Sequence, residues 1–356
     1  MVKQRKYKME NALAELNSRI HSGNIKQGTF LPSERKLAEL LDISRGTLRS
    51  VLKKLQQQGI IRINPGKGAY VVDSLSRKGL RRFAVICSTI SSCQKPSEGM
   101  GMLLGVCSAA SKVHAEALIS FEGDSFEAED IISRFNTDDI QGVVLFECAN
   151  ADNVIKPLEA AGVPFVIANP EHEISAVSAR INYRQVGRYA GQLLLQAGHR
   201  KIGLVTGPLQ DERIIYREML AGFRGALAEE ELTLQKNWII ETLSEAEDAR
   251  IKVSKLLSEN SLPTAFFAMR DVRACGLYTA CRELNIKIPD EISVLSYDDI
   301  TWESAQQAGL STLKEPIEQL GESAVTLLAE WVETGIPPRC KEFSAEFIHR
   351  ASIKNI

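Results

Sequence analysis

From residue 83 onward, short apolar runs alternate with amphipathic stretches, and this alternation constrains the fold more than any other feature of the sequence. Each run has the length of a buried strand, and each intervening stretch is long enough for a helix. Strands separated by helices form parallel sheets with right-handed crossovers, so the pattern predicts an α/β fold. The predicted strands are residues 83–86, 143–146, 165–168, 201–205, 265–268 and 292–295.

The charge of the chain divides near residue 82. Residues 1–82 carry 18 Lys and Arg against 6 Asp and Glu, a net of +12, whereas residues 83–356 carry 25 against 39, a net of −14. The net charge of the whole chain is only −2. An asymmetry of this size predicts a small polyanion-binding module joined to a larger domain that does not bind polyanions.

The basic segment has the pattern of three short helices. Apolar residues at helical spacing predict a first helix from Met9 to about Ser22. Ser33 is placed to cap a second helix, and Ser44 is placed to cap a third helix that ends at Gly59. Two short helices joined by so few residues form a helix-turn-helix.

The third helix and the residues after it carry the candidate DNA contacts. Three polar side chains lie off the predicted buried stripe, where we expect them to project toward base edges: Arg45, Thr47 and Arg49. Two β-prone runs, 60–63 and 69–72, flank a turn that contains Pro and Gly, which predicts a β-hairpin wing. Lys67 and Gly68 at its tip would allow close approach to phosphate or the minor groove.

Taken in order, these motifs resemble the GntR-type winged helix-turn-helix over roughly residues 5–73. The matching pieces are LPSER at 31–35, SRGTLR at 44–49, Gly59, and GKG at 66–68. The resemblance implies that the operator is contacted by Arg35, Arg45, Arg49 and Gly68. Gly46 departs from the family, which usually has a bulkier residue there, and a helical Gly costs about 0.5 to 1 kcal/mol relative to Ala.

The rest of the chain resembles the periplasmic-binding-protein-like sensor of LacI-type repressors over about 270 residues. The matching pieces are residues 162–168, 198–203, 263–268, 288–294 and 296–299, with Arg217 placed five residues before Gly222 and Phe223. The resemblance implies two lobes, each with a doubly wound parallel sheet, and a ligand between them. A GntR-type head on such a sensor is the layout of sugar-responsive repressors of the arabinose-repressor kind.

These resemblances give a set of expected domain limits. We expect a winged-helix domain at 1–73, a linker at 74–82 and a sensor at 83–356. Within the sensor, the first lobe is expected at about 83–180 and 309–322, and the second lobe at about 181–308 and 323–356.

Polar side chains follow the predicted strands, and ligands of parallel sheets bind beyond the carboxyl ends of the strands. With the family resemblance, this predicts a ligand site made of Ser88, Glu147, Asn169, Arg217, Arg270, Asp298 and Glu315. Carboxylates and guanidinium groups suit a polyhydroxylated ligand because each can engage two hydroxyls. Arg270 stands where the family commonly has Asn. Its guanidinium could neutralise Asp298 or Glu315, or it could select an acidic ligand such as a sugar acid or sugar phosphate.

Several other classes of protein are disfavoured. No apolar run approaches the 18 to 20 residues of a membrane span, and the basic N-terminal segment lacks the pattern of a signal peptide, so we expect a cytoplasmic protein. The seven cysteines are scattered, with no C-x-x-C spacing, and adjacent Asp298 and Asp299 are weak evidence for a metal. His199 has no nucleophile at a recognisable spacing, so no catalytic residue, metal or cofactor is predicted.

The sequence therefore predicts a transcription regulator of the repressor type, with a sugar or sugar derivative as effector. We expect a homodimer that binds a pseudo-palindromic operator, because a two-fold dimer presents two equivalent heads. The alternative is a sugar-binding protein or a sugar-modifying enzyme that carries a DNA-binding head.

Overall fold

The computed structural model describes residues 2–21, 25–26, 29–57, 60–64, 68–71, 81–88, 96–122, 127–137, 139–146, 151–210, 213–243, 245–259, 262–299 and 309–356. Three units are built from these residues: a small N-terminal head and two α/β lobes, each with a six-stranded sheet. The α/β fold with a helix-turn-helix head agrees with the sequence prediction.

The head contains three helices and a two-stranded hairpin. The helices are α1 (Val2–His21), α2 (Glu34–Leu40) and α3 (Arg45–Gln57), and the antiparallel strands are β1 (Ile61–Asn64) and β2 (Gly68–Val71). One apolar cluster joins all of them, with Leu16, Leu48, Leu55, Ile61 and Val71 at its centre. The predicted wing is therefore confirmed, while the predicted ends at Ser22 and Gly59 fall outside the described residues.

The first lobe has a parallel sheet of order β13-β7-β6-β5-β3-β4. Its strands are β3 (Arg81–Ser88), β4 (Ala115–Glu122), β5 (Gly142–Phe146), β6 (Phe165–Ala168), β7 (Ser178–Ile181) and β13 (Lys341–Phe343). Its helices are α4 (Pro96–Lys112), α5 (Ala128–Asn136), α6 (Ala151–Ala161) and α11 (Ile317–Thr334). The three strands predicted in this lobe, at 83–86, 143–146 and 165–168, are confirmed.

The second lobe has a sheet of order β14-β12-β11-β10-β8-β9, parallel except at β14. Its strands are β8 (Ile202–Thr206), β9 (Ile239–Glu241), β10 (Ala265–Ala268), β11 (Ser293–Asp298), β12 (Ser311–Lys314) and β14 (Glu346–Ile348). Its helices are α7 (Tyr183–Gln196), α8 (Ile214–Glu229), α9 (Ala246–Leu257) and α10 (Asp271–Glu283). The predicted strands at 201–205, 265–268 and 292–295 are confirmed.

The chain crosses between the lobes at three places, and two of them differ from the predicted limits. The first crossing, at Asn182, lies between β7 of the first lobe and α7 of the second, close to the expected limit at residue 180. The second lies at 315–316, because β12 pairs with β11 of the second lobe whereas α11 packs on α4 and β6 of the first. The third lies at 344–345, between β13 and β14. The assignment of 309–322 to the first lobe and of 323–356 to the second was therefore wrong in part.

The expected linker at 74–82 also needs one correction. Arg81 and Arg82 are the first residues of β3 and pair with Ala115 and Glu116 of β4, because β3 begins before the apolar run at 83–86 that predicted it. Residues 72–80, which contain the predicted limit at residue 73, lie outside the described part of the chain.

Helix α11 connects distant parts of the molecule. It begins at the second crossing and ends at Gly335, whose φ of 69° closes the helix in the left-handed conformation. A Cβ atom added to Gly335 would lie 2.9 Å from Cδ1 of Ile60 in the head. The C-terminal end of α11 therefore adjoins the head, and the left-handed backbone at this position favours glycine.

Among the described helices, none is long and apolar enough to span a membrane.

Candidate functional site

The N-terminus of α3 is fixed by Ser44. The Ser44 Oγ accepts a hydrogen bond from the Thr47 backbone N–H at 3.2 Å and lies 2.9 Å from Thr47 Oγ1. Ser33 caps α2 in the same way, through the Lys36 N–H at 3.5 Å. Both predicted caps are therefore present, and they hold the first turns of the two helices in place.

Thr47 corrects one expectation about the exposed face of α3. Its side chain is buried, with only 7% of the residue exposed, and its hydroxyl contacts the Ser44 cap. Thr47 is the third residue of the helix, so its side chain lies next to the Ser44 cap. Its hydroxyl contacts the cap and is therefore not directed toward DNA. It does not project with Arg45 and Arg49, which are both exposed.

The exposed arginines of the head differ in their partners. The Arg49 Nε donates to Glu34 Oε2 at 3.0 Å, and the Arg35 Nε lies 3.8 Å from Glu39 Oε1. Arg45 makes no ion pair with any of the described residues. Two of the three arginines are therefore next to a carboxylate of the described structure, and Arg45 is not.

The wing has the backbone geometry that its sequence predicted. Gly68 has a φ of 99° and pairs with Asn64 next to the turn of the hairpin. Apart from its chain neighbours, no atom of the described residues lies within 4 Å of a Cβ added at Gly68, so the space beside its backbone is open to a ligand. Lys67 lies outside the described residues.

In the sensor, four residues with strained backbones follow the strands that face the junction of the lobes. Asn169, Arg270, Asp298 and Asp299 have φ values of 53°, 107°, 124° and 61°. Non-glycine residues in this region cost about 1 to 3 kcal/mol each and are concentrated at functional sites. Three of the four were predicted as ligand contacts from their positions after β6, β10 and β11.

Arg270 and Asp298 are paired across the ends of β10 and β11. The Arg270 Nε donates to Asp298 Oδ1 at 3.4 Å, and the Asp271 backbone N–H donates to Asp298 Oδ2 at 3.4 Å. The side chain of Asp298 is 1% exposed and that of Arg270 is 24% exposed. The guanidinium of Arg270 is thus directed at a buried carboxylate.

Tyr183 makes two contacts next to the first crossing, a hydrogen bond to the first lobe and a ring contact within the second. The Tyr183 hydroxyl donates to Asn169 Oδ1 at 3.0 Å, and the rings of Tyr183 and Tyr297 pack edge to face with centroids 6.4 Å apart. Burial, followed by the nearby Glu315 carboxylate, raises the pKa of Tyr297 well above its ordinary value. The structure therefore brings Asn169, Asp298 and Glu315 into one neighbourhood with two tyrosines that the sequence analysis did not single out.

A cleft of about 600 Å³ lies at the second and third crossings between the lobes. Its lining includes Pro316 and Ile317 at one crossing and Ser344 and Ala345 at the other. The charged groups of the lining are Asp298, Asp299, Lys314, Glu315, Glu318, Glu322 and Glu346. Two predicted contacts, Asp298 and Glu315, therefore line the same cavity, and the lining is acidic.

Arg217 is not brought to this cleft. It lies on α8 with half of its side chain exposed, where Nη2 is 3.1 Å from Glu173 Oε1 and Nε is 3.4 Å from Glu218 Oε1. Because Glu173 belongs to the loop after β6, the first of these ion pairs joins the two lobes. Arg217 therefore contacts the other lobe at an exposed position outside the lining of this cleft, and its role as a ligand contact, which the family resemblance implied, stays a prediction.

Two further predicted contacts are not described in full. Ser88 is the last residue of β3 and pairs with Glu122 of β4, but its side chain is outside the described part of the structure. Glu147 lies outside the described residues altogether.

Arg273 is a buried charge that the sequence analysis missed. It is fully buried, and its guanidinium donates to Thr242 Oγ1 (2.9 Å), Met269 O (2.9 Å), Tyr216 OH (3.3 Å) and Thr242 O (3.4 Å). Burial lowers the pKa of Arg273, and within the described chain no carboxylate forms an ion pair with it. The only sequence signal was an Arg two residues after Asp271, on a helix that follows a strand.

His199 has structural partners. It is 1% exposed, and its Nδ1 lies 2.9 Å from Thr264 Oγ1. Burial lowers the pKa of His199, which favours the neutral ring. In the described residues no group of three or more His, Cys, Asp or Glu side chains is placed to hold a metal ion.

Two family models match different parts of the chain. One, described as a periplasmic binding protein-like domain, matches residues 191–353. The other, described as bacterial regulatory proteins of the gntR family, matches residues 8–71. The two matches do not overlap, and they fall on the sensor and on the head.

Similar proteins are named as transcription regulators. The chain is 29% identical over 244 residues to the HTH-type transcriptional repressor PurR of Photobacterium profundum, covering 67% of this chain and 72% of that protein. It is 34% identical over 161 residues to the ribose operon repressor of Haemophilus influenzae, covering 45% of this chain and 48% of that protein. A solved complex of the transcriptional regulator CelR with cellobiose has a TM-score of 0.65 at 21% identity, covering 90% of this chain and 100% of that one. This last likeness shows the fold.

Proposed function

We infer that the chain, which joins a gntR-type regulatory region to a periplasmic binding protein-like domain, is a DNA-binding transcription regulator controlled by a small carbohydrate. Repression is supported by the names of its relatives, which are repressors and not enzymes. The finer description is a GntR-type head on a LacI-type sensor, as in arabinose-repressor-like regulators. Such a protein acts where its operator lies, in the cytoplasm.

One observation carries the proposal. A capped helix with exposed arginines, Arg45 and Arg49, occurs in the same chain as a cleft that lies where the chain crosses between two lobes. The first feature suits the major groove of DNA, and the second suits a ligand whose binding changes the angle between the lobes. Arg35, Arg45, Arg49, Lys67 and Gly68 are the proposed DNA contacts.

The effector is proposed to be a carbohydrate without an acidic group. The similar proteins include a ribose operon repressor and a transcriptional regulator solved in complex with cellobiose. Arg270 is directed at Asp298, which supports the neutralising role for its guanidinium over the selection of an acidic ligand. The remaining carboxylates of the lining would accept hydrogen bonds from hydroxyls and would repel a sugar acid or sugar phosphate. The proposed contacts are Asn169, Arg270, Asp298 and Glu315, with Ser88 and Glu147 as further candidates.

The proposed mechanism is allosteric. Two heads of a homodimer bind a pseudo-palindromic operator, and closure of the lobes around the effector changes the spacing of the heads. The coupling must be reciprocal, so the factor by which the effector lowers operator affinity equals the factor by which the operator lowers effector affinity. A coupling of about 1 to 3 kcal/mol is ordinary.

A thermal-shift screen of the full chain tests the sensor, with neutral sugars, sugar acids and sugar phosphates as matched sets. A ligand that binds only the folded state raises the melting temperature, and we expect this from a neutral sugar. Stabilisation by an acidic member alone, lost in Arg270→Ala, would contradict the neutral effector and restore the acid-selecting role of Arg270.

Titrations with and without operator DNA then test the coupling. Equal effector affinity in both titrations would contradict the allosteric mechanism. Turnover of a stabilising sugar would favour the alternative of a sugar-modifying enzyme with a DNA-binding head.

A further inference from the structure

Glu34 and Arg49 join the two helices of the helix-turn-helix on its exposed side. The Arg49 Nε donates to Glu34 Oε2 at 3.0 Å, although the two residues are 15 positions apart in the sequence. Glu34 is the first residue of α2, next to the Ser33 cap, where the helix dipole favours a carboxylate. The side chain of Arg49 is 72% exposed and that of Glu34 is 43% exposed. The backbone that carries the Glu34 carboxylate is therefore held in place, next to an arginine whose side chain is mostly exposed to solvent.

The hydrogen bond decides which side of the guanidinium is available. Arginine presents its five N–H groups in a rigid fork, and one of them, the Nε–H, is taken by Glu34. The outer edge of the fork, formed by Nη1 and Nη2, makes no hydrogen bond with the described residues and is therefore available. A bidentate contact from this edge is the arrangement that recognises O6 and N7 of guanine in the major groove.

The charge of Glu34 has a second effect. A carboxylate next to Arg49 repels phosphate, and it offsets the positive charge that would release counterions from the DNA backbone. Arg45, one turn earlier on α3, has no such partner in the described structure and keeps its full charge. The two arginines of α3 are thus electrostatically different, although both are exposed.

We propose that Glu34 is a specificity-determining residue of the head, because it orients the Arg49 fork toward a base edge and disfavours its contact with phosphate. The inference rests on the proposed DNA-binding function, and it assigns different tasks to two arginines. Arg49 discriminates between sequences, and Arg45 contributes more to affinity for any sequence.

The test is a selection from a random duplex library with the full-length protein, followed by binding titrations at several salt concentrations. Glu34→Gln removes the charge and leaves Arg49 able to reach phosphate, whereas Glu34→Asp keeps the charge but is too short for the same hydrogen bond. Glu15→Gln is the matched control. It removes the same charge and also breaks a carboxylate–Arg Nε pair, with Arg19 at 2.7 Å, but on α1.

We expect Glu34→Gln to lower the ratio of specific to random-sequence affinity about tenfold. Its salt dependence should steepen by about one phosphate contact. Glu34→Asp should lose specificity without the steeper salt dependence, and Arg49→Ala should lose preference at the same base position. Thermal melting of each variant confirms that the head is folded.

Wild-type specificity in both Glu34 variants would overturn the proposal, as would an equal loss of specificity in Glu15→Gln. A lower specificity in Glu34→Gln with unchanged salt dependence would instead assign Glu34 a direct contact with DNA and would also overturn it. If the wild-type protein selects no sequence, the proposed DNA-binding function fails as well, so the two failures are distinguishable.

Discussion

The Arg270 guanidinium lies 3.4 Å from the Asp298 carboxylate, and both residues have a positive φ, 107° and 124°. Each residue thus has a strained backbone at the carboxyl end of a strand, and each turns a charged group toward the other. The pair fixes the end of β10 against the end of β11. Strain at two adjacent strand ends is tolerated only where the surroundings hold it, which is typical of a preorganised site.

We expect Arg270 and Asp298 to be energetically coupled. Arg270→Ala removes the guanidinium that lies 3.4 Å from the buried Asp298 carboxylate, and Asp298→Asn removes the negative charge of that ion pair, so each change should destabilise the protein by about 1 to 3 kcal/mol. The double variant should be less destabilised than the sum of the two by about 0.5 to 3 kcal/mol. Urea denaturation of the four proteins measures this coupling, and strictly additive effects would contradict it.

Base recognition by α3 has its own test. Arg45→Ala and Arg49→Ala should each weaken operator binding by about 1 to 3 kcal/mol and relax base preference, more so for Arg49. Lys67→Ala should lower affinity evenly across sequences, as expected for a phosphate contact. Fluorescence anisotropy on the selected operator and on single-base variants separates these effects. Wild-type affinity in all three variants would contradict the assignment of the recognition helix and the wing.

Arg273 should contribute strongly to the stability of the second lobe. Arg273→Ala leaves a cavity and removes the donor from three buried groups, at Thr242, Met269 and Tyr216, so we expect a loss of about 3 kcal/mol or more. Arg250→Ala is the control, because Arg250 makes ion pairs with the exposed Glu247 and Glu283. Its loss should cost less than about 1 kcal/mol. Similar denaturation midpoints for the two variants would contradict the role of Arg273.

The buried His199 should make stability depend on pH. Because its pKa is lowered in the folded state, its contribution is fully present above the unfolded value of about 6.5 and is lost as pH falls toward the lowered folded value. The slope is at most about 1.4 kcal/mol per pH unit. His199→Gln should therefore flatten the decrease in melting temperature between about pH 7.5 and 5.5. An unchanged decrease would show that other groups cause it.

The sequence predicted strands that are continuous apolar runs. It missed strands whose buried residues include polar side chains. The strand β12 is buried through Ser311 and Thr312, whose hydroxyls contact the Arg350 N–H and Asp271. Such a strand has no apolar signal. The lobe limits after residue 309 were wrong for a related reason, since β13 and β14 are three-residue edge strands whose assignment depends on tertiary pairing.

Position along the sheet accounts for which candidate ligand residues lie near one another. Asn169, Arg270 and Asp298 stand at or just after strand ends, and strands of one parallel sheet end at the same edge. Arg217 was implied by the family resemblance, and its ion pairs with Glu173 and Glu218 are contacts that no local pattern reveals. The role of these residues as ligand contacts stays a prediction. The role of Thr47 was decided by a hydroxyl contact and not by helical periodicity.

Helix α11 is placed to act as a lever between the cleft and the head. Its first turn lines the cleft, and its 18 residues place the far end about 27 Å away, beside Ile60 of the head. A rigid rod of that length that tilts by about 5° moves its tip by roughly 2 Å. A ligand in the cleft therefore needs to tilt the near end of α11 only slightly. Over the length of the helix, this tilt becomes a displacement large enough to move a DNA-binding surface out of register with its site.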